Sequence, residues 1–378
     1  MSEYFPLTIP TPSFDSNITE LIVGLEVLRG ERPYLEVHPC LFFQLKDIFH
    51  MIESLQSARI EGNRTTFDDY VEAKFDNTKN QSIEEIDNIE NAIKYIDEVF
   101  HSDKKTKITS VLIKELHTIL TQGLTCEGSR TPGNYRKNEV KILNANHIPP
   151  MAIMVQEYMD ELIAWINEDT KTQNKPLKIA VAHHRFTWIH PFDNGNGRMS
   201  RLLTYFMLRQ YGYRMSDLMN LSAIFCIDRS KYFDNLEKAD SGNDEDLLYW
   251  CEYVLSGLIL EIKKIQKLLD KEFFITKILT PALNSSLKKG RISNDEKKIL
   301  ELSLRKTDNL IMIKDIKVIL KDKNDRQLNT YINKMIKEEL LQREKANSRK
   351  YLINLFNSSI LRGIIKSLEN EGLVNKYD

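Results

Sequence analysis

The sequence predicts a mainly α-helical protein of two or three domains, with one β-hairpin in its central part and a second near its C-terminus. Three observations carry this. The 378 residues include only 14 Gly and 11 Pro, while Leu, Ile, Lys and Glu abound, a composition that favours helices and leaves room for more than one core. Apolar residues recur at helical spacing through most of the chain. Charge is divided unevenly: residues 290–378 hold 19 Lys+Arg against 13 Asp+Glu, and the remainder 34 against 41. That asymmetry sets the C-terminal part aside as a separate electrostatic object. The expected domains are an N-terminal helical region (1–103), a central domain (104–270) and a C-terminal domain (285–378).

Residues 1–20 are rich in Pro and polar residues and are expected to run extended over the surface. Helices follow at Thr19–Arg29 and His38–Ile60, the second with Leu41, Leu45, Ile48, Ile52 and Leu55 on one face. It ends in Ser57-Ala58-Arg59-Ile60-Glu61-Gly62-Asn63, where Gly62 is a natural C-cap. Residues 82–100 form another amphipathic helix, Lys104 to Lys107 a polar junction, and Ile108–Leu120 a helix whose His117 reads as core. The Gly/Pro/Asn-rich stretch Gly128–Pro150 breaks the pattern. In it Val140-Lys141-Ile142-Leu143, the turn Asn144-Ala145-Asn146 and then His147-Ile148 read as a hairpin. Helices resume at Met151–Ile166 and Lys178–Trp188, with Trp165, Phe186, Trp188 and Ile189 as core. His183 and His184 point about 100° apart on a helix, which argues against a shared metal. Further helices start at Asp228 and span Leu247–Leu269, and Lys271–Lys289 joins the halves. The four cysteines (Cys40, Cys126, Cys226, Cys251) form no C-x-x-C pair and read as reduced packing residues. Met1–Pro12 lacks signal-peptide character, and no run reaches the ~18 apolar residues of a membrane span, so a cytoplasmic protein without membrane contact is expected.

The chemistry concentrates in Ile189-His190-Pro191-Phe192-Asp193-Asn194-Gly195-Asn196-Gly197-Arg198-Met199-Ser200-Arg201. The apolar run behind it, Leu202, Leu203, Phe206, Met207 and Leu208, opens a helix near Asn196. Glycines on both sides of Asn196 let backbone N–H groups converge where that helix starts, a ready site for a polyphosphate. Arg198 and Arg201, three apart, reach the same bound group, and His190 stands beside it as a proton acceptor.

His190 to Arg201 resembles the signature of the Fic family, His-x-Phe-x-(Asp/Glu)-Gly-Asn-Gly-Arg-x-x-Arg. The resemblance implies a Fic-type helical bundle that transfers AMP from ATP to a Ser, Thr or Tyr hydroxyl of a target protein. By it His190 is the general base and Phe192 the core anchor. Asn196 with the Gly195 and Gly197 backbone holds the α and β phosphates, Arg198 steadies the β-phosphate and Arg201 the γ-phosphate. The family places an acidic Mg²⁺ ligand where this chain has Asn194, a neutral residue that puts metal affinity in question. Ser57, Glu61 and Gly62 match the family's inhibitory motif (Ser/Thr)-x-x-x-Glu-(Gly/Asn), in which the carboxylate occupies the arginine that the γ-phosphate needs. Arg136 to Pro150 is similar in layout to the hairpin called the flap. There Val140, Lys141, Ile142 and Leu143 contact nucleotide and target, which docks by strand addition. Tyr232 and Asp240 fall where the family contacts adenine.

Residues 294–304, 313–321 and 325–339 read as three helices, followed by strands Leu341–Arg343 and Tyr351–Asn354, the winged-helix order. Arg326, Asn329, Asn333 and Lys337 lie where a DNA reader places its base contacts, and Arg343, Lys345, Arg349 and Lys350 charge the wing. A last helix, Ser358–Glu371, serves local packing or a homodimer. The expected function is therefore a protein adenylyltransferase acting on a target protein or on itself, restrained by Glu61. Three alternatives stand beside it: a hydrolase using Glu61 to remove AMP, the same chemistry with another nucleotide or a phosphocholine carrier, and a DNA-binding regulator.

Overall fold

A computed structural model of the chain describes residues 4–31, 36–142 and 145–376. They form two compact units: one of residues 1–32, 50–65 and 79–263, the other of 33–49, 66–78 and 264–378. The architecture is mainly helical, with one two-stranded sheet among the described residues.

In the first unit Tyr4 to Ser16 runs without regular structure. Tyr4 stacks on Tyr158 and Phe5 packs edge-on against Trp188. Helix α1 (Asn17–Gly30) follows, and α2 (Pro39–Ile60) gives this unit its second half. There Ile52, Leu55, Ala58 and Ile60 are buried. Helix α3 (Phe67–Asp76) belongs to the other unit. Helix α4 (Gln81–Ser102) starts where the Asn80 side chain accepts the N–H of Ile83 (2.9 Å), and Ile83, Ile86, Ile89, Ile93 and Ile96 form its buried stripe. Helices α5 (Ser110–Thr121), α6 (Val155–Asn167), α7 (Lys175–Ile189) and α8 (Asn196–Gln210) make the centre of the unit. Helices α7 and α8 pack on each other and are buried along nearly their whole length, as expected of helices apolar on most sides. Helices α9 (Leu221–Cys226), α10 (Arg229–Ala239) and α11 (Asp244–Leu268) complete it.

Two expectations change here. Residues 136–142 and 145–150 form no strand pairing; Leu143 and Asn144 lie outside the described residues. The buried Arg136 guanidinium takes the place of a ladder, donating to the carbonyls of Asn138 (3.2 Å), Pro150 (2.6 Å), Ile189 (3.4 Å) and His190 (2.8 Å). Pro149 and Pro150 have no N–H to give. The cysteines are all free, as expected, but only Cys251 is buried and Cys126 is exposed.

In the second unit the stretch expected as a joint is helical: α12 (Lys271–Phe273) passes through a π-helical turn, Phe274–Leu279, into α13 (Thr280–Lys288). Helices α14 (Asn294–Arg305), α15 (Ile313–Ile319) and α16 (Asp325–Lys337) lead to β1 (Leu341–Arg343) and β2 (Tyr351–Ile353), paired antiparallel with Gln342 opposite Leu352. Ile311 bridges Tyr351 on the far side of β2. Capping boxes at Ser293/Glu296 and Asn324/Gln327 fix the starts of α14 and α16. Helix α17 (Ser358–Asn370) packs against α13 and α3. Gly363 allows the close approach to α13, since a Cβ there would stand 2.8 Å from the Ala282 Cα. No helix of the described residues is long and apolar enough to cross a membrane.

Candidate active site

The signature loop is built from the end of α7 to the start of α8. His190 caps α7 in the left-handed region (φ 50°, ψ 60°), its N–H donating to Phe186 O at 3.1 Å. A non-glycine residue holds that conformation only when its surroundings require it. The requirement comes from Phe192, fully buried and stacked flat on His117 with ring centroids 3.6 Å apart and planes 4° apart. His117 accepts the Gly133 N–H on Nδ1 (3.0 Å), so its Nε2–H donates to Asn194 O (3.1 Å). Burial pushes its pKa down to about 4 and keeps it neutral. His117 is core, as expected, yet it also braces the loop, a role that helical periodicity does not reveal. The Asn196 amide closes the loop, accepting the Phe192 N–H (2.9 Å) and donating to Phe192 O (3.0 Å). Gly195 takes φ 78°, a conformation that glycine adopts without strain.

These contacts leave the N–H groups of Asn196, Gly197 and Arg198 with no protein acceptor among the described residues, while the Met199 N–H already bonds Gly195 O. Three free donors at the first turn of a 15-residue helix form an anion cradle. The buried Nη1 of Arg201 also lacks a partner among the described residues, and it stands 3.2 Å from where a Gly197 Cβ would be. The Asn196 side chain, expected on a phosphate, is occupied within the loop; its backbone N–H remains.

Both signature arginines are held by carboxylates. Arg201 donates through Nη2 to Glu61 Oε1 (2.7 Å) and to Ser57 O (3.0 Å), and through Nε to Ser57 Oγ (2.8 Å). Thus Ser57, in the last turn of α2, and Glu61, just past its end, meet the arginine 140 or more residues away, and Gly62 (φ 109°) follows in the turn. Burial opposes the charge of Glu61, but Arg201 and then Arg198 outweigh it and hold the carboxyl below its usual range. A Cβ on Gly197 would run into Glu61 Oε1, so glycine is needed there for the carboxylate to lie across the helix start. Arg198 donates through Nη1 to Glu85 Oε1 (2.9 Å) and through Nη2 to Glu127 O (2.9 Å) and Oε2 (3.2 Å). Glu85 and Glu127 were not singled out by the sequence. Each looks like any other acid on a helix or loop, and only the fold brings them to Arg198.

The part-exposed His190 ring donates Nδ1–H to Thr187 O (3.4 Å), which leaves Nε2 as the basic nitrogen. Burial, helped by His147 and Arg136, pushes its pKa down to about 4 against the opposing pull of Thr187 O and Glu61. It is therefore unprotonated at neutral pH.

Other expected site residues are placed differently. Tyr232 is buried, its hydroxyl 2.9 Å from His183 Nε2, and burial pushes its pKa up to about 12. Asp240 accepts from His184 Nε2 (2.9 Å) and lies 3.1 Å from His147 Nδ1, tying segment 145–150 to α7. Both side chains are thus engaged inside the protein rather than presented to an adenine ring. Val140 and Ile142 are half-buried, Lys141 is exposed, and Leu143 lies outside the described residues. His183, beneath α8, bonds Thr204 Oγ1 (2.8 Å). Trp165, expected in the core, is half-buried under Lys178.

The residues do not fit a protein-held Mg²⁺. Asn194 Oδ1 accepts the Gly195 N–H (2.7 Å), and both Asp193 oxygens are occupied by Ser129 Oγ (2.5 Å) and the Arg130 N–H (2.9 Å). No group of three or more His, Cys, Asp or Glu able to hold a metal occurs among the described residues. No step below runs through a metal.

The class of fold is a helical bundle with His190 at the end of one buried helix and a glycine-flanked turn opening the next. It is similar to a Fic family protein from Desulfovibrio desulfuricans G20 (TM-score 0.56, 18% identity, 91% of this chain and 98% of that one). It is also similar to a Fic domain containing signaling protein from Bacteroides thetaiotaomicron VPI-5482 (TM-score 0.54, 23% identity, 67% and 97%). Residues 107–208 match the model of the Fic/DOC family. The chain is distantly related to the protein adenylyltransferase Fic of Drosophila willistoni, 33% identical over 146 residues, 37% of this chain. The match spans 26% of that relative's length.

Proposed function

We propose that this chain is a protein adenylyltransferase that moves AMP from ATP to a Ser, Thr or Tyr hydroxyl of a target protein, or of itself, and that Glu61 restrains it. The observation that carries the reading is the helix start at Asn196, where three N–H groups and Arg201 Nη1, all without a partner among the described residues, stand beside the Glu61 carboxylate. A carboxylate on Arg201 competes with a phosphate for the same guanidinium. The distant relatives named protein adenylyltransferase support the reaction class.

In the mechanism His190 Nε2 takes the proton of the attacking hydroxyl. Its oxygen bonds to the α-phosphorus, the bond to the bridging α,β oxygen breaks, and pyrophosphate leaves. The cradle, Arg198 and Arg201 stabilise the leaving charge, so catalysis is positioning and electrostatics. The target lies against segment 136–150.

The test is incubation with α-labelled ATP. Labelling is expected to be strongest with Glu61→Gly and absent with Glu61→Gly/His190→Ala; equal labelling in the two would overturn the reading. The hydrolase alternative makes the opposite demand on Glu61, because Glu61→Gly would then abolish AMP release from a modified protein. The same assay run with other nucleotides or a phosphocholine carrier separates the donors.

A second reading concerns the other unit, which we propose is a winged-helix module that binds duplex DNA. Its support is the exposed face of α16, where Arg326, Asn333 and Lys337 are exposed and have no ion pair among the described residues, together with exposed Lys345, Arg349 and Lys350. Binding that falls steeply with salt supports it, and no shift of a labelled duplex at low salt would end it.

A further inference from the structure

Arg198 has both terminal nitrogens occupied, by Glu85 on one side and by Glu127 on the other. Its buried Nε–H has no partner among the described residues, and on the reading above a β-phosphate that also takes a terminal nitrogen competes there with one of the two acids. The two acids are not equivalent. The Glu85 side chain is 4% exposed, rooted in the second turn of α4, and its second oxygen accepts from Asn63 Nδ2 at 2.9 Å. Withdrawing Arg198 from it would strand a buried carboxylate. The Glu127 side chain is 42% exposed and sits on the irregular segment after α5, where leaving Arg198 returns it to water.

We infer that Glu85 is the permanent positioning residue of Arg198, and that the Glu127 carboxylate is a second, displaceable competitor standing where a β-phosphate oxygen goes. Asn63 ties the first device to the second, since it follows Glu61 by two residues and holds Glu85 as well as Ser82 O (2.9 Å). Release of Glu61 from Arg201 therefore frees only one of the two arginines. The other is freed by the nucleotide itself, and only by a nucleotide with a β-phosphate. The two acids make opposite predictions although both touch the same guanidinium.

The test is calorimetric titration of the full chain with AMP and with ADP, in the Glu61→Gly background and without added metal. Adding Glu127→Gln should tighten ADP roughly five- to tenfold and leave AMP unchanged. Adding Glu85→Gln should weaken ADP by a similar factor, again with AMP unchanged, a discrimination that loss of packing alone would not produce. Thermal unfolding of both variants checks that they fold, and Glu85→Asp replaces Glu85→Gln if that variant does not. If Glu127→Gln leaves the ADP-to-AMP ratio of affinities as it was, or if substitution of Glu85 raises it, the inference falls while the adenylyltransferase reading stands. If Glu61→Gly binds neither nucleotide, both fall together.

Discussion

His190 is the residue whose environment most directly sets the chemistry. Burial pushes its pKa down to about 4, so the charged form is the disfavoured one. A base that must be neutral then works at any pH above that value and is lost only as pH falls through it. The acid limb of kcat/KM in Glu61→Gly is expected near pH 4 rather than near 6.5, since the Glu61 charge only raises the His190 value, and a limb at 6.5 would show that the ring is fully solvated during turnover. Asn194 is the second telling residue, because its one amide oxygen already accepts the Gly195 N–H. Asn194→Asp adds charge and lone pairs where the family has an acid. It should lower the Mg²⁺ concentration needed for half-maximal AMP transfer several-fold, measured by Mg²⁺ titration of labelling. The left-handed backbone at His190 and Gly195 belongs to this scale too, and of the two only the glycine announces it in the sequence.

At the level of elements, segment 136–150 shows how a local pattern misleads. Val140 to Ile148 alternates as a strand pair does, but Arg136 satisfies carbonyls at both ends of the segment and at the end of α7. Four carbonyls on one planar fork make this arginine irreplaceable by lysine. Arg136→Ala and Arg136→Lys are both expected to destabilise the protein by about 2–4 kcal/mol through the unsatisfied carbonyls. They should also raise hydrogen exchange in 138–150, as mass spectrometry would read. The helix starts were more legible. Asn80 before α4, Ser293 and Glu296 at α14, and Asn324 and Gln327 at α16 carry their caps in their own side chains. The run from Lys271 to Lys288 was expected as a joint, although Asp270 caps its start and Phe274, Ile278, Ala282 and Leu283 form its buried stripe; its π-turn leaves no mark of its own in the residues.

For the whole molecule, the chain weaves between its two units instead of finishing one before starting the next. Residues 36–49 and helix α3 pack with 264–376: Gln44 bonds Ile353 O and the Leu355 N–H, and Arg362 lies near Asp68 and Glu72. A chain ending at Lys263 would expose Leu41, Leu45, Phe67, Tyr70 and Val71, all buried in the whole protein. Such a truncation should melt several degrees lower and aggregate in a thermal scan, whereas a melt equal to that of the full chain would show that the second unit contributes nothing to these segments.

By itself the sequence determined most of the long helices, though not α3, α9, α12 or α13, together with the turn into α8 at 190–201 and, through a resemblance of motifs, the pairing of Glu61 with Arg201. Each of these is written in residues close together, where spacing and backbone freedom leave a local trace. Only the tertiary structure decided that Glu85 and Glu127 grip Arg198, that His117 braces Phe192, that Arg136 replaces a strand ladder, and that α3 joins the C-terminal unit. The carboxylates of Glu85 and Glu127 lie 113 and 71 residues from Arg198 in the chain, and His117 bonds Asn194 O 77 residues on. Nothing in an isolated Glu or His records which distant partner burial will bring to it.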